Sequence, residues 1–563
     1  MFSRLSASLL TAVIVLAGCV SGSGDGQSGS SGGSPGKAGS SSRPETKTPN
    51  DNAVLGFASS EELATAASQA FFTKSPVVVL AHESEALRGV SSAAALGVPV
   101  LIDGAGTAPE LERLEAEAVL AIGPVADPGI PVATPANDQE LAKQLGGIEV
   151  KDVATKDQGS AISELREDSV SLLVPAGADD SSGENGDDSD GDEAEESGTT
   201  QSTPEPAYDE ILGDLPDIDK AEPVSDTVVL TSGGDDELAA VGTAIAAGAA
   251  VINSASHNPV ATSDEVELLA QASVVLAFGE RFGDEQTLEW HLRTAETGVE
   301  LPGGGQRVLP GKTYVALYGH PGSSVLGVLG EQDAKETIAR AEEHAEMYSD
   351  LIDQPVVPAL EIIATIASAT AGPDGDYSTE GEPALYEELI DLAGEHGMYV
   401  VLDLQPGRTD FLTQAKRYEE LLKKPWVGLA LDTEWRLLPN QKHLTQIGHV
   451  EAAEVDTVVD WLADLVKEND LPQKLLILHQ FQVQMIRDID QIDLSHPELA
   501  VMVHVDGQGS QGSKQETWRT LLANAPDIEY WGWKNFYEED IPGPLSPEDT
   551  VKVAPRPDFV SYQ

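Results

Sequence analysis

The chain has 563 residues, 40% of them hydrophobic, and carries 95 acidic against 33 basic side chains. That length predicts several domains, each with a core of its own. The formal net charge of −62 argues strongly against nucleic acid or anionic lipid as a partner, because a polyanion would be repelled.

Residues 1–19 have the pattern of an export signal, in which Arg4 precedes the apolar run 9–16. The segment 16–19, Leu-Ala-Gly-Cys, resembles the lipobox of bacterial lipoproteins, in which the cysteine is diacylated and becomes the mature N-terminus. Cys19 is the only cysteine of the chain, which excludes intramolecular disulfides. The resemblance implies a lipid anchor on the extracytoplasmic face of a bacterial cell membrane. An ordinary signal peptide with a chance cysteine is the alternative.

Two segments have compositions typical of disorder. Residues 20–52 are rich in Gly, Ser, Pro and Asn, which predicts a flexible tether. Residues 179–219 begin as a dense acidic run set in Gly and Ser, which predicts a disordered insertion or linker. A calcium-binding loop is the alternative there, although the run lacks the Asp-x-Asp-x-Asp-Gly…Glu spacing of a defined calcium loop.

Residues 53–300 repeat one pattern on either side of the acidic insertion. Each copy reads as strand, Ala-rich helix, strand, helix and strand, and the first strands lie at 77–80 and 228–230. The strands are short apolar runs without polar alternation, as parallel sheets covered by helices require. The sequence therefore predicts an α/β fold with Rossmann-like repeat domains.

This repeat resembles the type 2 cell-wall-binding repeat of Gram-positive surface proteins. The likeness is carried by Gly-Val-Pro-Val-Leu-Ile at 97–102 and by Asp-Asp-Glu-Leu-Ala-Ala at 235–240. Family units usually end in a Gly-Gly pair, whereas this chain has Gly-Pro at 123–124 and Gly-Glu at 279–280. The resemblance implies a module that binds cell-wall glycan or anionic wall polymer. A structural α/β domain without a ligand is the alternative.

Residues 311–563 read as eight apolar strands, most of them followed by an amphipathic helix. Eight strands in about 250 residues match the size of a (β/α)8, or TIM, barrel. The predicted strands lie at 314–318, 358–363, 398–402, 427–431, 474–478, 500–503, 528–533 and 558–562.

Polar side chains follow six of these strands at the C-terminal end, which is the face where such barrels hold their active sites. Aromatic residues lie beside them, and flat aromatic rings stack well on the C–H faces of sugars. A single strand-end histidine is usually structural, but the convergence of six strands predicts a carbohydrate site. The candidate substrate-binding residues are His320, Asp403, Gln405, His479, Gln480, His504, Asp506, Trp533, Lys534 and Tyr562.

Asp432 and Glu434 follow the buried run of the fourth strand. If that strand continues through them, both side chains point the same way, with Cα atoms about 6–7 Å apart. This Asp-x-Glu resembles that of the family 25 lysozymes among the glycoside hydrolases, and more distantly that of the family 18 chitinases. The resemblance implies Glu434 as the general acid and Asp432 as its partner. Family 25 also uses acids on its first and last strands, where this chain has His320 and Tyr562.

Glycoside hydrolysis needs one protonated and one ionised carboxyl group. We predict that burial raises the pKa of Glu434 and that Asp432 stays charged, and we keep Asp403 and Asp506 as further candidates for the second carboxylate. No cofactor and no metal is expected. Two alternatives remain open. One is a non-catalytic barrel that binds glycan or a partner, and the other is a metal-dependent hydrolase with strand-end His and Asp ligands.

Overall fold

The computed structural model describes residues 43–165, 169–176, 208, 210–224, 226–254, 256, 258–525 and 527–563. The predicted export signal with Cys19, most of the tether and most of the acidic insertion lie outside the described residues. No helix within the described ranges is long and apolar enough to cross a membrane.

The first repeat unit forms a five-stranded parallel sheet. Its strands, in spatial order, are Ile211–Leu212, Val132–Ala133, Ala118–Ile122, Val77–Ala81 and Val100–Ile102. Helices near this sheet include Ser60–Phe71, Ala86–Leu96, Thr107–Arg113 and Asp138–Gln144, while Gln158–Ser163 lies against the strand Ala250–Asn253 of the second unit. A separate parallel pair joins Val150–Val153 to Leu172–Pro175, and Glu45–Thr46 pairs antiparallel with Phe72–Lys74.

The second repeat unit forms a four-stranded parallel sheet in the order Ala250–Asn253, Thr227–Thr231, Val274–Phe278 and Ala53–Leu55. Its helices are Leu238–Ala246, Ser263–Gln271 and Glu285–Glu296. Helices of the two units pack closely, since a Cβ atom on Gly242 would lie 2.9 Å from the Cα of Val90. In both units the first strand of the predicted pattern lies between the second and the third.

Part of the segment predicted as a disordered insertion has regular structure. Ile211–Leu212 pairs with Val132–Ala133, and three further residues pack on the core of the first unit: Tyr208, Leu215 and Ile218. Apolar side chains return to the sequence here, so that burial can offset the entropy lost on ordering.

The C-terminal region forms a closed barrel of eight parallel strands. Consecutive strands pair along the chain, and the first pairs with both the second and the eighth, which closes the ring. The barrel strands, first to eighth, are Thr313–Gly319, Val356–Ala367, Tyr399–Leu404, Val427–Asp432, Lys474–Gln480, Leu499–Val505, Tyr530–Asn535 and Phe559–Tyr562. A short strand, Ser378–Glu380, adds to the second antiparallel.

Helices occupy most of the connections between barrel strands. In chain order they are Ala334–Ser349, Ala384–Glu395, Phe411–Arg417, Glu419–Leu422, Ala452–Glu468, Gln511–Asn524 and Pro547–Thr550. Between the fifth and sixth strands the chain makes the 3₁₀ turns Val483–Met485 and Ile489–Gln491 instead. A large apolar core separates the strands from the helices, and a smaller one fills the barrel near the N-terminal ends of the strands.

Candidate functional site

Each of the eight barrel strands contributes one buried polar side chain to a single layer inside the barrel. These side chains, which we call the polar layer, are Tyr318, Glu361, Asp403, Asp432, His479, His504, Lys534 and Ser561. Seven of the eight lie two residues beyond an inward position of the apolar barrel core, such as Ala359 before Glu361 or Ile477 before His479, and Lys534 follows Gly532 in the same way. Alternate residues of a strand face the same side, so the inward positions change from apolar to polar toward the C-terminal end of each strand.

His479 is the most heavily bonded member of the polar layer. Its Nε2 lies 2.7 Å from Glu361 Oε1, and its Nδ1 lies 3.1 Å from Asp506 Oδ2. Burial lowers the pKa of this imidazole, but the neighbouring carboxylates outweigh burial and raise the pKa well above its usual value. The same contacts hold the pKa of Glu361 and of Asp506 below the usual range, although burial opposes this for both carboxyls.

Tyr318 and Lys534 form the other side of the layer. The Tyr318 hydroxyl donates to Asp403 Oδ2 at 2.8 Å, and Lys534 Nζ lies 3.3 Å from the centre of the Tyr318 ring. A lysine ammonium over an aromatic face is attracted by the negative face of the ring. Burial raises the pKa of Asp403 to about 6, and the charge of His479 opposes the rise.

A cavity of about 700 Å³ lies above the polar layer, at the C-terminal ends of the strands. Its polar lining includes Gln405, Asp432, Glu434, Asp506 and Lys534. Its aromatic lining consists of Tyr318, Trp435, Phe481 and Phe536. This combination of acids, an amide, a lysine and flat rings can bind the hydroxyl groups and the C–H faces of a sugar.

The structure brings Asp432 and Glu434 to the same cavity by a different route from the predicted one. The fourth strand ends at Asp432, and Thr433–Trp435 forms a 3₁₀ turn, so Glu434 does not continue the strand. Asp432 is 3% exposed, whereas Glu434 is only partly buried and closer to solvent. The Thr433 hydroxyl donates to the carbonyl of His479 at 3.0 Å, which fixes the turn to the fifth strand.

The two carboxyls differ in protonation from the prediction. Burial and the adjacent Asp506 raise the pKa of Glu434 to about 7, as predicted. The prediction that Asp432 stays charged is wrong, because burial and the carboxyls of Asp403 and Glu434 raise its pKa well above the usual value. Asp506 is the cavity carboxyl whose pKa is lowered, through its contact with His479. Among the carboxyls that line the cavity, burial therefore favours the protonated form of Glu434 and Asp432, and the contact with His479 favours the ionised form of Asp506.

Two predicted binding residues point away from the cavity because their neighbours in the strand point into it. Trp533 precedes Lys534 and packs on Trp518, with ring centres 5.6 Å apart. Tyr562 follows Ser561 and its hydroxyl lies 2.6 Å from that of Tyr348. Successive side chains of a strand face opposite sides, so an inward residue forces its neighbours outward.

Gln480 and His320 also lie outside the lining of the cavity and have structural partners, whereas Asp403, His479 and His504 lie in the polar layer beneath it. Gln480 follows the inward His479 and donates to the carbonyl of Gln482 at 3.2 Å. The chain turns at Gly319, whose φ of 147° favours glycine, and the turn carries His320 toward the neighbouring helix. There His320 Nε2 lies 3.5 Å from the Tyr386 hydroxyl.

Three members of the polar layer escaped the sequence analysis: Glu361, Tyr318 and Ser561. The sequence did contain a signal for Glu361, because it is an acidic residue inside an apolar run and shares a face of the strand with Ala359 and Ile363. Tyr318 and Ser561 carry no comparable signal, because tyrosine and serine are ordinary residues in strands.

Three groups of side chains in the described residues could hold a metal ion. One is the buried set Glu361, His479 and His504 of the polar layer. The other two are at least partly exposed and consist of Asp460, Asp493 and His496, and of Asp374, Asp376 and Glu380.

Scans against known protein families and against curated proteins find no match. Among solved structures, the chain is similar to Cwp6 from Clostridium difficile, with a TM-score of 0.30 and 15% sequence identity. The matched region covers 63% of this chain and 63% of Cwp6, so this chain spans less than two thirds of the length of Cwp6.

Proposed function

We propose that this protein acts at the bacterial cell envelope, where its barrel binds cell-wall glycan and hydrolyses a glycosidic bond between Glu434 and Asp506. The observation that carries the proposal is the cavity at the C-terminal ends of the barrel strands, where carboxyls and aromatic rings line one space. A volume of about 700 Å³ lies within the usual range of ligand pockets, about 300–1,000 Å³.

In this proposal Glu434 protonates the oxygen of the leaving sugar. Its raised pKa keeps a large fraction of the carboxyl protonated near neutral pH, which suits a general acid. Asp506 acts as the ionised carboxylate, which either attacks the sugar or activates a water molecule. Gln405 donates to Asp432 at 3.5 Å, and both side chains line the cavity, where they offer further hydrogen-bonding groups to sugar hydroxyls.

The aromatic side chains determine which ligand class fits. Trp435 and Phe481 are partly exposed at the cavity, and Phe536 is almost fully buried in its wall. Rings in such positions stack on the apolar faces of pyranose rings, while the acids and Lys534 bind the hydroxyl edges. This arrangement supports a glycan as the ligand, because aromatic faces and hydrogen-bonding side chains line the same cavity.

The remaining parts of the chain fit the same location in this proposal. Cys19 carries the lipid anchor, the Gly- and Ser-rich segment after it serves as the tether up to the strand Glu45–Thr46, and residues 53–300 form a wall-binding α/β module that holds glycan or anionic wall polymer. Residues 311–563 form a (β/α)8 barrel of the glycoside-hydrolase type, supported by the closed ring of eight parallel strands and the helices between most of them.

The central experiment measures hydrolysis of purified peptidoglycan and of model glycosides by the full-length protein. We expect release of reducing ends, and we expect Glu434→Gln to lower the rate by at least about 100-fold, as removal of a general acid does. The matched control is Glu468→Gln, which makes the same chemical change on the exposed end of the helix Ala452–Glu468. That variant should retain the wild-type rate.

A non-catalytic, glycan-binding barrel is the alternative within the same location. Binding of soluble wall fragments, measured by calorimetry, separates the two functions. Binding without turnover in the wild type would leave only the alternative, and turnover that persists in Glu434→Gln would remove the assignment of the general acid. A wild type that neither binds nor cleaves wall glycan would overturn the proposal.

The wall-binding part of the proposal has its own test. The full-length protein is sedimented with purified cell walls, and then with walls from which the anionic polymer has been extracted. Retention on both preparations indicates glycan as the ligand of the module, and loss after extraction indicates the anionic polymer. Failure to sediment with either would remove wall binding from the proposal.

A further inference from the structure

We propose a binding site for one divalent transition-metal ion, of the Zn²⁺ class, beneath the cavity, formed by four buried side chains: Glu361, Asp403, His479 and His504. All four are fully buried in the polar layer, on the second, third, fifth and sixth barrel strands. The inference is independent of glycan hydrolysis, because ion binding is measured without a substrate.

Three of the four proposed ligands offer atoms that lie close together. Glu361, His479 and His504 each offer an atom within 4.8 Å of the others. Glu361 Oε1 lies 2.7 Å from His479 Nε2, and Glu361 Oε2 lies 3.8 Å from His504 Nδ1. Asp403 Oδ1 lies 4.0 Å from His479 Nε2 but outside that group of three, and we expect it to move in as the fourth ligand when the ion binds. Two imidazole nitrogens and two carboxylate oxygens form the mixed donor set that zinc accepts in tetrahedral geometry.

Three of these donor atoms are buried without a hydrogen-bond partner: Glu361 Oε2, Asp403 Oδ1 and His504 Nδ1. Buried polar atoms are almost always hydrogen-bonded, because an unpaired one keeps the full cost of leaving water. An ion between them would satisfy all three at once. It would also balance charge, since a divalent cation neutralises two carboxylates in the buried site.

The second atoms of the donors are already held by outer partners. His479 Nδ1 lies 3.1 Å from Asp506 Oδ2, and His504 Nε2 lies 3.1 Å from the Ser561 hydroxyl. Asp403 Oδ2 accepts from the Tyr318 hydroxyl at 2.8 Å. Metal-bound histidines almost always have such a partner on the other ring nitrogen, because it fixes the orientation and tautomer of the ring.

A proton competes with the ion for the same place. With Nε2 protonated, His479 donates to Glu361 and its imidazolium lies between two carboxylates. Binding of the ion removes that proton and replaces the Nε2–Glu361 hydrogen bond with two metal–ligand bonds.

The experiment measures metal in the purified full-length protein. The protein is stripped with EDTA, dialysed and titrated with ZnCl₂ by calorimetry, and the bound zinc is then counted by elemental analysis. We expect one ion per chain at this site and a higher melting temperature after loading. Glu361→Gln, which keeps the size of the side chain, should lower the affinity by at least about 100-fold.

Two further variants distinguish this site from the surface clusters and from misfolding. His496→Gln removes a ligand from the exposed cluster with Asp460 and Asp493, and should leave binding at the buried site unchanged. Asp506→Asn keeps all four donors but alters the outer partner of His479, and should lower the affinity by about 10- to 100-fold. A wild type that binds no zinc, or binding that survives Glu361→Gln and disappears in His496→Gln, would overturn the proposal.

Discussion

Replacing Glu434 with glutamine should make the protein more stable at neutral and alkaline pH while removing activity. The pKa of Glu434 is raised from 4.5 to about 7 in the folded protein. Between these values the folded chain holds a proton that the unfolded chain has released, so the stability of the wild type falls as the pH rises. Above pH 7 both states are ionised and the loss is complete.

The size of this effect follows from the pKa change. Each pH unit between 4.5 and 7 costs about 1.4 kcal/mol, so ionising Glu434 removes about 3 kcal/mol of stability by pH 8. Glutamine has nearly the same shape and does not titrate, so Glu434→Gln avoids that loss. Compared with wild type, the variant should therefore gain about 3 kcal/mol between pH 4.5 and pH 8. Gains of this kind at the expense of function are typical of active-site residues.

The assay is urea unfolding followed by tryptophan fluorescence at pH 5 and at pH 8. All seven tryptophans lie at residue 290 or beyond, so the signal reports mainly on the barrel. The control Glu468→Gln should have the same small effect on the free energy of unfolding at pH 5 and at pH 8, because the side chain of Glu468 is exposed. A stability difference between Glu434→Gln and wild type that is the same at pH 5 and pH 8 would refute the assignment of the raised pKa to Glu434.

Three further predictions address the barrel, the cavity and the anchor. Burial lowers the pKa of Lys474 from 10.5 to about 7, so the stability of the wild type should rise between pH 7 and pH 10.5. The variant Lys474→Met should be more stable than the wild type at pH 7 by about 2 kcal/mol. This figure already subtracts the lost hydrogen bonds from Lys474 to the carbonyls of Lys424 and Val427. Thermal melts at pH 7 and pH 10 check this, and an equal effect at both values would contradict it. Trp435→Ala should weaken glycan binding about tenfold, measured by calorimetry, without lowering the melting temperature, because the ring lines the cavity but is only partly buried. An unchanged affinity would mean that the sugar binds elsewhere. Cys19→Ser should release the protein from the membrane fraction into the medium, and retention in that fraction would exclude the lipid anchor.

Local sequence predicted most of the elements but not the direction of every side chain. The apolar runs located all eight barrel strands, and the strand ends located Gln405, Asp432, Glu434, Asp506 and Lys534 at the cavity. The position at which a strand ends decides which of two adjacent residues faces inward. The sequence does not mark that position, so Trp533 and Tyr562 looked equivalent to their inward neighbours.

The pairing of acids shows a second limit of local reasoning. Asp432 and Glu434 are close in sequence, which suggested that they work together. Their protonation depends on residues from other strands, since His479 lowers the pKa of Asp506 while Asp403 helps to raise that of Asp432. Electrostatic interactions depend on distance through the fold and not on distance along the chain.

The sequence by itself determined the α/β class, the repeated unit, the eight strands and the end of the barrel that carries polar residues, because all of these follow from the spacing of apolar side chains. Only the tertiary structure decided that one side chain from each strand meets in the polar layer, with Glu361 at its centre. Closing the ring brings together residues up to 243 positions apart, from Tyr318 to Ser561. Burial in that ring then sets which groups hold protons, and no pattern along the chain encodes it.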